Sequence, residues 1–88
     1  MILTDGTVIG ASCDIYGMVR FLRENNRTPV IGDNAFIGDG AKFLGGVTVG
    51  NNVTVGTSAL VLKDMEGDSV VVGFPAKVVK KKDVKIPE

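Results

Sequence analysis

Histidine and tryptophan are absent from this 88-residue chain, and cysteine occurs once. Without histidine there is no imidazole to serve as a general base near neutral pH. The single cysteine, Cys13, cannot close an internal disulfide, which fits a reduced, cytoplasmic setting. It falls on an inward position of the repeat described below, where a small buried thiol packs as an apolar residue. Charge of one sign is lacking too: ten Lys and Arg balance ten Asp and Glu. That balance gives no electrostatic drive toward nucleic acid or an anionic membrane. No apolar run is long enough to span a bilayer, and no secretory leader pattern is present. No metal site is expected.

What the chain does have is a six-residue beat. Ile31, Ile37, Phe43, Val49, Val55 and Val61 recur at that interval, and Leu3, Ile9 and Ile15 carry it earlier. Four residues after each beat comes a second small or apolar residue: Ala35, Ala41, Val47, Val53, Ala59 and Met65, with Thr7, Cys13 and Val19 in the earlier part. Turn chemistry fills the gaps, in the form of Gly32, Gly38, Gly50 and Gly56 with Asp33-Asn34, Asp39-Gly40 and Asn51-Asn52. An α-helix repeats near 3.6 residues and a simple strand every two, so neither fits. A hexapeptide period is the signature of a β-helix, with one short flat side per unit and a corner after it.

Residues 1–88 therefore read as one all-β domain, a parallel β-helix of about three coils. Leu3–Arg20, Ile31–Thr48 and Val49–Glu66 are the expected coils, stacked about 4.8 Å apart. The phase breaks at 21–30, a charged, proline-bearing stretch that reads as a loop excursion from one edge. Beyond the Gly67-Asp68 turn, Ser69–Val72 reads as a strand, and Gly73-Phe74-Pro75-Ala76-Lys77 redirects the chain toward Val78-Val79. Residues 80–88 form a basic tail that blunts an open sheet edge. No aromatic residues are interleaved with its lysines, as single-stranded nucleic-acid binding would need.

The run from Pro29 to Asp64, with Gly73-Phe74-Pro75-Ala76-Lys77, resembles the hexapeptide-repeat acyltransferases. Within them it looks most like the catalytic domain of serine O-acetyltransferase. The resemblance implies a left-handed parallel β-helix, a homotrimer, and acetyl-CoA lying between subunits along the outside of the helix. It implies coenzyme contacts at the corner residues Gly38, Asp39, Gly56 and Thr57, with Pro75, Ala76 and Lys77 flanking the adenine end. The same residues also serve as ordinary repeat corners, and Asp39 would repel a phosphate that it faced. The resemblance further places the family's Asp-His motif ahead of Met1, so the chain reads as shortened at its N-terminus. The exposed ladder edge of the first coil is then open to end-to-end pairing of two trimers.

In that family a histidine deprotonates the acceptor hydroxyl, which then attacks the thioester. The expected Arg-His-Pro at the loop's return is here Arg27-Thr28-Pro29, and threonine is no base near pH 7. Leu22-Arg23 stand where the family loop opens with Gly-Gly. Asp14, Tyr16, Asp33 and Asp39 are the remaining candidate bases, and no pair of them has a spacing that argues for a shared site. Three readings follow. One is an acyltransferase-like domain that holds CoA without the usual catalysis. The others are a structural or oligomerisation module, and an active acetyltransferase with a non-histidine base.

Overall fold

The computed structural model describes residues 2–81. All of its regular structure is β. Strands β1 (Ile2–Leu3), β2 (Val8–Ile9) and β3 (Asp14–Ile15) trace the first coil. β4 (Arg20–Leu22), β5 (Val30–Ile31) and β6 (Phe36–Ile37) trace the second. β7 (Lys42–Leu44), β8 (Thr48–Val49) and β9 (Thr54–Val55) trace the third. β10 (Leu60–Val61) and β11 (Ser69–Gly73) belong to a fourth, and β12 (Ala76–Lys81) folds back antiparallel on β11. Every other strand pairing is parallel.

These strands stack into three sides: β1-β4-β7-β10, then β2-β5-β8, then β3-β6-β9-β11-β12. We call the corners between sides the first edge (first to second side), the second edge (second to third) and the third edge (third back to first). The beat residues point inward and stack in register, which buries all six from Ile31 to Val61. One column runs Leu3, Phe21, Phe43, Val61; another runs Ile15, Ile37, Val55, Val71. Corner turns are held by stacked Asx groups. At the second edge Ala11 N–H donates to Asp33 Oδ1 at 2.8 Å, and Asp33 N–H donates to Asn51 Oδ1 at 2.8 Å. Asn34 and Asn52 adopt the left-handed region there, at φ 59° and 60°, which asparagine tolerates better than most residues.

The coil count and the loop bounds both differ from the sequence expectation, for one reason. Phe21 lies on the beat, six residues after Ile15, and is fully buried in β4. It starts a coil of its own, so there are four coils and not three. The excursion is correspondingly smaller than 21–30: Leu22 ends β4, and Val30 already belongs to β5. Between them Glu24 and Arg27 exchange two backbone hydrogen bonds of 3.0 Å around Asn25 and Asn26, at φ 52° and 61°. Two central residues with φ > 0 make the type I′ hairpin, whose twist matches that of paired strands.

A second shift of phase occurs at the top. Met65, expected as a companion position, bridges Val49 and so takes the beat position in the fourth coil. That corner is two residues short, and Ser69–Gly73 then resumes the third side over β9. The chain from Lys80 onward is only in part a tail, since Lys80 and Lys81 are strand residues paired with Val70 and Ser69. The rest of the expected tail, 82–88, lies outside the described residues.

The first coil is the lower end of the described residues. Leu3 is 51% exposed, whereas Phe21 directly above it is inaccessible. The N–H groups of Ile2, Thr4, Val8, Gly10, Asp14 and Tyr16 donate upward to the second coil. Strand alternation therefore turns the main-chain groups of Leu3, Ile9 and Ile15 away from the stack.

Candidate functional site

Register brings the corner residues onto one edge. Ile37 pairs with Val55, and Val55 with Val71, so Gly38-Asp39, Gly56-Thr57 and Val72-Gly73 follow at successive heights of the third edge. The β11–β12 turn, Phe74-Pro75, closes the top of that edge, with Ala76 paired to Gly73 and Lys77 to Val72. The Gly38 and Gly56 amides are engaged in the ladder, with Val55 O and Val71 O at 2.9 and 2.8 Å. That leaves Asp39 N–H and Thr57 N–H as donors outside the backbone ladder among the described residues. A side chain at Gly38 would begin 2.8 Å from Thr57 N, so glycine there lets the two coils stack closely at this corner.

The Asp39 carboxylate is directed elsewhere. Its Oδ1 accepts the Met18 N–H at 2.9 Å, capping the corner one coil below, and Gly17 leaves the room for it. Asp33 is likewise spent on the Ala11 amide. Asp14 is exposed on β3, and Tyr16 packs against Phe36 with ring centroids 5.1 Å apart. Asp14 and Tyr16 thus share one side of the prism, and Asp33 sits at a different edge from Asp39. Among the described residues no three of His, Cys, Asp or Glu gather as a metal site would require.

Two recesses flank the upper coils. One, of about 380 Å³, is mainly apolar and lies between the last coil and the β11–β12 hairpin, lined by Leu62, Met65, Pro75, Ala76, Lys77 and Val78. It contains the three residues expected to flank an adenine ring. The other, of about 220 Å³, is polar and sits under the Asn25-Asn26 hairpin, lined by Glu24, Arg27, Leu44, Lys63 and Asp64 among others. Reading 21–30 as an open excursion hides this recess. The signal for it is Asn25-Asn26 flanked by Glu24 and Arg27, a two-residue turn between oppositely charged neighbours.

Thr28 lies on the first edge, half-buried above Gly6. It is separated from the third-edge corners by a whole side of the prism. A single subunit therefore does not bring Thr28 to the Gly38 and Gly56 corners.

Comparison with known proteins agrees with this architecture. Residues 28–63 match the family model of the bacterial transferase hexapeptide (six repeats). A serine acetyltransferase of Bacillus pumilus is 38% identical over 91 residues, covering 92% of this chain and 42% of the relative. The crystal structure of Neisseria gonorrhoeae serine acetyltransferase superposes with a TM-score of 0.88 at 30% identity, over 93% of this chain and 34% of that one. A serine acetyltransferase in complex with CoA superposes with a TM-score of 0.84 at 28% identity, over 89% of this chain and 33% of that one. The curated relatives are matched over 37% to 43% of their own length. The prism is thus the left-handed parallel β-helix of the serine acetyltransferases. Residues 28–63 carry the hexapeptide repeat of the bacterial transferases, and the chain is similar to serine acetyltransferase over about two fifths of that enzyme's length.

Proposed function

We propose that this chain is a coenzyme A-binding acyltransferase-type domain that lacks the family's usual acetyl transfer. What supports the reading is the pairing of a glycine-cornered third edge with a first edge where the family resemblance puts Thr28 in place of a histidine. At this corner Asp39 N–H and Thr57 N–H lie outside the backbone ladder among the described residues, and Pro75, Ala76 and Lys77 line a mainly apolar recess. Thr28 stands where a base would be needed, in a chain with no histidine. A hydroxyl acceptor is a weak nucleophile until a base removes its proton. Leu22 and Arg23 further replace the small residues that let a coenzyme approach the loop backbone.

Because the two edges lie apart on one subunit, the site is proposed to form between subunits of a homotrimer. Apolar side chains on the outer faces support that assembly: Val8 and Val30 on the second side, Phe36 and Val72 on the third, each more than a third exposed. The open ladder edge at Leu3, Ile9 and Ile15 allows two trimers to meet base to base. No helix among the described residues is long and apolar enough to cross a membrane. With one free cysteine, we place the protein in the cytoplasm.

Isothermal calorimetry with CoA, on protein first shown to be trimeric, tests the reading. Binding that weakens as salt rises is expected, since phosphates would meet lysines. No heat at millimolar CoA would favour the purely structural module.

A further inference from the structure

We propose that Arg20 and Lys42 form a paired-cation site for phosphoryl oxygens, which takes the diphosphate part of a nucleotide-tailed thiol. Arg20 opens β4, Lys42 opens β7, and the two are direct partners in the parallel ladder. Neighbouring strands are about 4.8 Å apart, so two cations project side by side from the first side. Like charges directly opposite on a sheet are destabilising. Among the described residues no carboxylate pairs with either cation. The only ion pair among the described residues joins Lys81 to Glu66, near the second edge. Asp39, the carboxylate closest to Lys42 in sequence, is held by the Met18 amide. Ile2 below and Leu60 above are apolar, so the ladder itself supplies no anion.

The position is what gives the pair a ligand. Both residues follow directly on third-edge corners, Arg20 after Gly17-Met18-Val19 and Lys42 after Gly38-Asp39-Gly40-Ala41. They stand beside the corner proposed to hold coenzyme, and naming a nucleotide tail rests on that reading; the anion site itself does not. An exposed guanidinium offers a planar fork to one phosphoryl group, and a half-buried lysine offers a point charge to the next. Arg23 makes a useful contrast, because its guanidinium already donates to the Asp5 carbonyl at 2.9 Å.

The test titrates the full chain separately with sodium pyrophosphate, CoA and pantetheine, following backbone amide shifts by NMR. Pyrophosphate is expected to move the Arg20 and Lys42 amides and to spare Arg23. The double variant Arg20→Ser, Lys42→Ser should weaken pyrophosphate and CoA about tenfold or more and leave pantetheine unchanged. Binding of pyrophosphate at this pair without binding of CoA would support the anion site and overturn the coenzyme reading alone. Saturating pyrophosphate with no shift at Arg20 and Lys42 overturns the site, whatever CoA does. A double variant with unchanged pyrophosphate affinity and a lost trimer assigns the pair to a subunit contact, and also overturns it.

Discussion

Phe21 lies flat on Phe43, with ring centroids 5.0 Å apart and planes 7° from parallel. The stack ties β4 to β7 inside the prism and makes Phe21 the first residue of a full coil. Phe21→Ala is expected to cost about 3–5 kcal/mol, the range for an aromatic side chain lost from a packed core. Arg23→Ala, two residues away and exposed, is expected to stay within about 0.5 kcal/mol. Urea unfolding of the two variants checks the contrast. Equal stabilities would place Phe21 in a loop.

Val49 tests the beat itself. It pairs with Val30's neighbour Ile31 below and bridges Met65 above, and it is 1% exposed. Val49→Asp puts a carboxylate into a dry, narrow core with no partner. Loss of cooperative folding in a thermal melt is the expected outcome. A soluble Val49→Asp protein with a native-like melt would count against this register.

The hairpin makes a prediction about loop chemistry. Asn26 sits at φ 61°, where a β-branched side chain is strained. Asn26→Val should destabilise by about 1–2 kcal/mol, and Asn26→Gly should be neutral or better. Chemical denaturation of both variants measures the difference. Equal effects would mean that the turn is not of this type.

The Lys81–Glu66 pair predicts a pH dependence confined to β12. The Lys81 ammonium, by hydrogen bond at 2.8 Å and by charge, holds the Glu66 carboxyl below its ordinary value. A depressed folded pKa means that the stabilisation is present above the unfolded pKa and is lost as pH falls through the folded one. Both side chains are exposed, so the effect on global stability is small. The protection of amides at the Ser69 end of β11, taken relative to intrinsic exchange at each pH, should fall toward that of Glu66→Gln as pH drops below the ordinary carboxylate range. An identical pH profile in the variant would show that the pair does not tether β12.

Much of the fold was legible because an inward beat leaves few choices: once Ile31, Ile37 and Phe43 point in, the corners must carry Asp33, Asp39 and their glycines. Phe21 was obscured because the next beat residue, Ile31, comes ten positions later and not six. The four residues inserted before Ile31 then shifted all later counting. Met65 was obscured for the opposite reason, a corner two residues short. The separation of Thr28 from the third edge depends on which side each hexad occupies, and that assignment needs the insertion closed as a hairpin first.

Trimer formation is a prediction of mass. The 9.2 kDa chain should sediment at about 27 kDa, or at twice that where two open bases meet. Leu3→Lys, which charges only the base, should abolish the larger species and spare the smaller. A stable monomer at micromolar concentration would remove the intersubunit site.

Release of thiol from acetyl-CoA is the measurement closest to the central claim. It is made on CoA-binding trimer with serine, a sugar and an aminoglycoside as acceptors, and repeated with Thr28→His. General-base catalysis alone supplies ~10²–10⁴-fold, and its loss adds to that of a well-positioned thioester beside Leu22 and Arg23. The expected result is CoA binding with no release above the uncatalysed rate in either protein. Turnover near ~1 per second with any acceptor, within the ordinary range for enzymes, would contradict it and point to Asp14 or Tyr16 as the base.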